Sequence, residues 1–83
     1  MLQPFIEETQ TYNQPGEVRA DCNAITFLNI GTTTMQVNGV TVVPGAQYIS
    51  TGNEGEVNQT RYRVSFAGVG DDVCQVIRKI YRQ

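Results

Sequence analysis

The chain has 83 residues, enough for one domain, and a chain this short buries only about 60–65% of the surface its unfolded form exposes. Its 40% hydrophobic content fills a thin core and leaves no spare apolar surface to line a deep substrate cavity. A formal charge of −2, with the basic residues scattered as Arg19, the pair Arg61 and Arg63, and a C-terminal group of Arg78, Lys79 and Arg82, argues against nucleic acid, which is held by clustered cations.

At the N-terminus, MLQPFIEETQ has neither a basic n-region nor an apolar h-region, so no signal peptide is expected in this chain. No apolar run approaches the roughly 20 residues of a membrane helix, and no membrane span is expected. Residues 1–23 carry Pro4, Pro15, Gly16 and two adjacent acids, Glu7 and Glu8, with Phe5, Ile6, Tyr12 and Val18 as the sizeable apolar anchors. They read as an extended arm with one or two short strands, broken at Gln14-Pro15-Gly16 and lying either along its own domain or on a neighbour.

From Ala24 the β signals strengthen. Ala24 to Ile30 is β-branched and aromatic with apolar residues on both faces, as a central buried strand requires. Thr33 to Val37 and Val40 to Val43 flank Asn38-Gly39, a pair that accepts the positive φ angles of a type I′ hairpin turn. Counting back from the turn sets Val37 against Val40 and Met35 against Val42 on an apolar face. Gln36 then meets Thr41, and Thr34 meets Val43, on the other. Pro44-Gly45 marks another turn before a short strand from Gln47 to Thr51. After a polar loop, Thr60 to Phe66 alternates, with Tyr62, Val64 and Phe66 facing one way and Arg61, Arg63 and Ser65 the other.

The final segment, Val73 to Tyr81, fits a helical stripe through Val73, Val76, Ile77 and Ile80. Its β-branched and aromatic content favours a strand instead. As a strand it places Val73, Ile77 and Tyr81 on one face and Cys74, Val76 and Ile80 on the other, and both faces need cover. The whole chain reads as all-β, a small antiparallel β-sandwich or barrel of about seven strands: an arm over residues 1–23 and a sandwich domain over residues 24–83.

The chemistry is sparse. The chain has no histidine, which removes the commonest general base, the Ser-His and Cys-His nucleophile pairs and the commonest zinc ligand. Cys22 and Cys74 lie far apart, and read as buried free thiols or as one long-range disulfide. Glu54 with Glu56 and Asp71 with Asp72 are carboxylate pairs without a cleft, and Asn53-Glu54-Gly55-Glu56 lacks the alternating acids of an EF-hand. Gly68-Val69-Gly70 is too short for a dinucleotide fingerprint. Of the four tyrosines, Tyr12, Tyr48, Tyr62 and Tyr81, most are expected in the core rather than on a stacking platform. No enzyme, cofactor, metal or small-molecule substrate is expected.

The block Phe27-Leu28-Asn29-Ile30-Gly31-Thr32-Thr33-Thr34, followed by Val37-Asn38-Gly39-Val40 and Pro44-Gly45, resembles small β-rich structural proteins of bacteriophages, in which a strand ending in Asn-x-Gly-Thr leads to an Asn-Gly hairpin. Glu56-Val57 and Thr60 to Phe66 extend the likeness, which covers about residues 25–66. It implies a non-enzymatic virion component: a capsid decoration, head-fibre or tail-associated subunit, assembled in the bacterial host and bound to other virion proteins.

Residue patterning, apart from that likeness, points to the arm and the last strand as the contacts. An arm with few apolar residues does not offset its own ordering, and a strand apolar on both faces needs a partner. The expected contact residues are Phe5, Ile6, Tyr12, Ile77, Ile80 and Tyr81. A ligand- or carbohydrate-binding module of a bacterial surface protein is the alternative reading, and a small inhibitor or toxin–antitoxin element a third.

Overall fold

The computed structural model describes residues 4–52 and 56–81, and they form an all-β protein of two antiparallel four-stranded sheets. The strands in chain order are β1 (Phe5–Tyr12), β2 (Gly16–Arg19), β3 (Ala24–Asn29), β4 (Thr34–Val37), β5 (Val40–Val42), β6 (Gln47–Ser50), β7 (Arg61–Ala67) and β8 (Cys74–Tyr81). One sheet has the order β1-β8-β3-β6 and the other β2-β7-β4-β5. Among the described residues the strands therefore number eight rather than about seven. Residues 5–19, expected as an extended arm, lie along their own domain and supply one edge strand to each sheet.

Four antiparallel partnerships nest one inside another around the β4–β5 turn. β4 pairs β5, β3 pairs β6, β2 pairs β7, and β1 pairs β8. Two further ladders, β3 with β8 and β4 with β7, join these pairs into sheets. This is one long hairpin folded over on itself, the connectivity of a jelly roll. Apart from the β4–β5 turn, each connection carries the chain from one sheet to the other.

Period-two alternation explains the faces. In β3, Ile25, Phe27 and Asn29 are buried while Ala24, Thr26 and Leu28 are only half-buried on the opposite face. Ile25 and Phe27 join Val76 of β8, Val18 of β2, Met35 and Val37 of β4, Val42 of β5, and Tyr62 and Val64 of β7 in one core drawn from both sheets. Phe27, Tyr48 and Tyr62 meet edge to face across that core, with ring centroids 5.0–6.1 Å apart. Such pairs add about 0.5–1.5 kcal/mol each to the area they bury.

The Asn38-Gly39 turn forms as read, with φ of 49° and 84°, and Val37 pairs Val40, Met35 pairs Val42 and Gln36 pairs Thr41. The hairpin stops one pair sooner than expected. Thr34 pairs Ala67 on its β7 side, whereas Val43, its expected partner across the hairpin, lies beyond β5 and is exposed. Residues 74–81 are a strand, not a helix. Ile30, expected to end the buried strand, falls outside β3 and is exposed.

Polar side chains close both ends of the core. At the end where the β3–β4 and β5–β6 connections lie, the buried Asn29 amide donates to the carbonyls of Thr33 and Val42, each at 2.8 Å. Gly31 packs there so tightly on the chain before β8 that a Cβ would fall 2.2 Å from the Asp71 carbonyl oxygen. At the opposite end the Asn23 side chain accepts from the Tyr81 amide at 2.7 Å and donates to the Glu56 carbonyl. Among the described residues no buried side-chain nitrogen or oxygen lacks a partner.

Candidate functional site

β1 and β8 run side by side over their whole lengths, Phe5 opposite Tyr81 and Tyr12 opposite Cys74. The two segments expected to make contacts are thus one surface. Alternation divides their six residues between two faces. Phe5, Ile77 and Tyr81 point away from the core, whereas Ile6, Tyr12 and Ile80 share the inward side with Cys74 and Val76. Tyr12 and Ile80 pack against the core and Ile6 remains 37% exposed.

The outward face of this sheet carries several apolar side chains. Phe5 and Tyr81 meet edge to face at 5.7 Å, and the Lys79 ammonium lies 4.2 Å from the Phe5 ring centroid and 5.2 Å from that of Tyr81. Lys79, one of the C-terminal group of cations, is therefore held over two aromatic rings. Ile77 is level with Thr26 of β3, and Thr26 with Ile49 of β6. Leu28 lies two residues along the same face of β3, and Ile49 is 52% exposed. Leu28 and Ile49 were not among the expected contacts. The apolar residues on both parities of Ala24 to Ile30 carried the signal for Leu28, but they pointed to burial on both sides.

β1 is the other feature of this surface. Seven of its eight residues are exposed, and among the described residues it has no strand on its far side. It is held to the domain by backbone pairing with β8, by Tyr12 packed on the core, by the Phe5–Tyr81 contact and by Arg78. That guanidinium donates from Nε and Nη2 to the Arg19 carbonyl at 3.1 and 2.9 Å, and from Nη1 to Gln10 Oε1. Arg78 ties β1 and β2 to β8 and is thereby engaged inside the domain.

The second sheet turns a polar face outward. Glu17, Gln36, Asn38, Arg61, Arg63 and Ser65 line a shallow, open depression there, with Arg61 Nε 3.9 Å from Glu17. This exposed ion pair is worth at most about 1 kcal/mol.

Elsewhere the chemistry is structural. Cys22 and Cys74 are free, buried and at opposite ends of the core, so no disulfide joins them. Burial pushes the Cys74 thiol up to about 11. It also raises the Cys22 thiol, against a smaller opposing pull from the Arg78 guanidinium. Neither is the low-pKa thiolate of a reactive cysteine. Asp72 accepts from the Thr33 hydroxyl, and the Asp71 amide donates to Thr32 Oγ1 at 2.8 Å, so the Asp72 carboxylate and the Asp71 backbone brace a loop. Glu54, with Asn53 and Gly55 of the loop weighed for calcium, lies outside the described residues. Among the described residues no group of three or more His, Cys, Asp or Glu side chains could hold a metal ion, and no helix is long and apolar enough to cross a membrane.

Comparison with family models, with curated proteins and with solved structures gives no match to this chain.

Proposed function

We propose that this protein is a non-enzymatic structural subunit of a bacteriophage particle. It joins neighbouring subunits through the open edge of β1 and the outward apolar face of its sheet. The observation that carries the reading is the nested pairing of all eight strands, the connectivity used by viral capsid domains. Supporting it, the expected contact segments lie together, with Phe5, Ile77 and Tyr81 on a face that the domain leaves uncovered. Passive assembly by strand edges and apolar contacts needs no catalytic group.

Jelly rolls also serve as lectins, and the polar depression around Arg61 and Arg63 favours that second reading. One pair of variants separates the two. Ile77→Asp puts a charge in the apolar face and should cut cosedimentation with purified particles at least about ten-fold, the equivalent of 1.4 kcal/mol. Arg61→Asp alters the polar face and should leave cosedimentation unchanged. A reversed order, or glycan-array binding by the isolated protein that Arg61→Asp abolishes, would move the function to the polar face.

A further inference from the structure

We infer that β1 is a self-pairing edge: two copies of the protein join β1 to β1 antiparallel about a two-fold axis at Thr9, making one continuous eight-stranded sheet. This deepens the assembly reading by naming a partner, a second copy of this chain.

The four sheet edges are unequal. β2 and β6 have four residues and β5 three, whereas β1 has eight, about 27 Å at ~3.4 Å per residue. Its register against β8 runs unbroken from Phe5 to Tyr12, with no bulge, and Pro4 stands before the strand rather than within it. Proline, bulges and short length are the usual devices that blunt an edge, and β1 has none. Its only guards are Glu7 and Glu8. Each of these stands directly opposite a cation of β8, Lys79 for Glu7 and Arg78 for Glu8, so the paired edge carries little net charge.

Symmetry and charge then select the register. A two-fold axis normal to the sheet sets outward residues against outward ones, which restricts the axis to pass beside a residue. An axis at Glu7 or at Glu8 opposes that glutamate to its own copy, a destabilising like-charge pair. An axis at Gln10 shortens the overlap to Glu8–Tyr12. The axis at Thr9 keeps Ile6 through Tyr12 in register and opposes Thr9 to Thr9, Glu8 to Gln10, Glu7 to Thr11 and Ile6 to Tyr12. No like charges stand directly opposite one another, the threonines suit one another, and each end closes on an apolar pair, covering the exposed Ile6.

Directly opposed residues of antiparallel strands have Cα atoms about 4.5–5.5 Å apart, within the span of a disulfide, while positions offset by two residues are beyond it. Cys22 and Cys74 are buried and do not compete. The test is sedimentation velocity of the full chain over roughly 10 μM to 1 mM, where an interface at the small end of the specific class dissociates, together with mild oxidation of single-cysteine additions. A concentration-dependent dimer is expected, with Thr9→Cys cross-linking at least about ten-fold faster than Glu7→Cys or Thr11→Cys. A wild-type monomer throughout that range overturns the inference. So do equal cross-linking rates, or cross-links in isolated particles that join position 9 only to a different protein. Because the dimer is measured without particles, a monomer that still joins particles sinks the pairing alone. A dimer that never joins particles sinks the assembly reading alone.

Discussion

Asn38 and Gly39 carry the β4–β5 hairpin because both sit at positive φ, 49° and 84°, where a β-branched side chain collides with the backbone. Asn38 also reaches beyond its own hairpin: its side chain accepts from the Arg63 amide at 2.8 Å, and its amide donates to the Arg63 carbonyl at 2.9 Å. Gly39→Val should destabilise the protein by about 1–2 kcal/mol and lower Tm by roughly 5–15 °C. Thermal unfolding followed by circular dichroism measures this, and an unchanged Tm would contradict it. Cys74 makes a prediction in pH. Its thiol titrates at 9.0 in the unfolded chain and about 11 when folded, so the folded state holds the proton more tightly. The stability this gives is complete below pH 9 and is lost as pH rises through about 11. Cys74→Val removes the titrating group and should make the alkaline decline of urea midpoints shallower than in the wild type. An equal slope would assign the decline to other groups.

Strands differ in how much of themselves they display in the sequence. The β4–β5 hairpin is legible because pattern, turn and partner are contiguous, and β7 because its alternation is clean. β1 is not. Exposed on both faces, it has no apolar period to read, and it becomes a strand by pairing with β8 more than sixty residues later. Its pairing also explains why the six expected contact residues divide between two faces: Phe5 and Ile6 are consecutive, as are Ile80 and Tyr81, and consecutive strand residues face opposite ways. The role of Arg78 was illegible for a related reason, since its partners Arg19 and Gln10 lie on strands whose placement no local pattern reveals. Arg78→Ala should leave the fold intact, lose about 1–2 kcal/mol and speed amide exchange selectively in β1 and β2. Uniform acceleration across all eight strands would mean that Arg78 supports the core instead of its edges.

For the molecule as a whole, residue patterning was sufficient for the all-β class and for most inward-facing residues, because burial repeats every second residue. Sheet order was beyond its reach: alternation tells which face a residue takes, not which strand lies alongside. The nested order has a consequence in time. Val37 meets Val40 across one turn, whereas Phe5 must wait for Tyr81. Closing a loop costs more as it lengthens, so each inner pair shortens the loop left for the next one out. Refolding should therefore protect the amides of β4 and β5 before those of β1, and pulsed hydrogen exchange showing simultaneous protection would refute that order. On the ribosome the same geometry leaves Phe5 unpaired while the next seventy-six residues are made, roughly 4–15 s at about 5–20 residues per second. Glu7 and Glu8 are then uncompensated, and their charge keeps the waiting strand from premature partners. Only when β8 arrives, bringing Lys79 and Arg78 opposite them, is that repulsion relieved. The nascent chain thus guards its longest edge until the rest of the fold exists to use it.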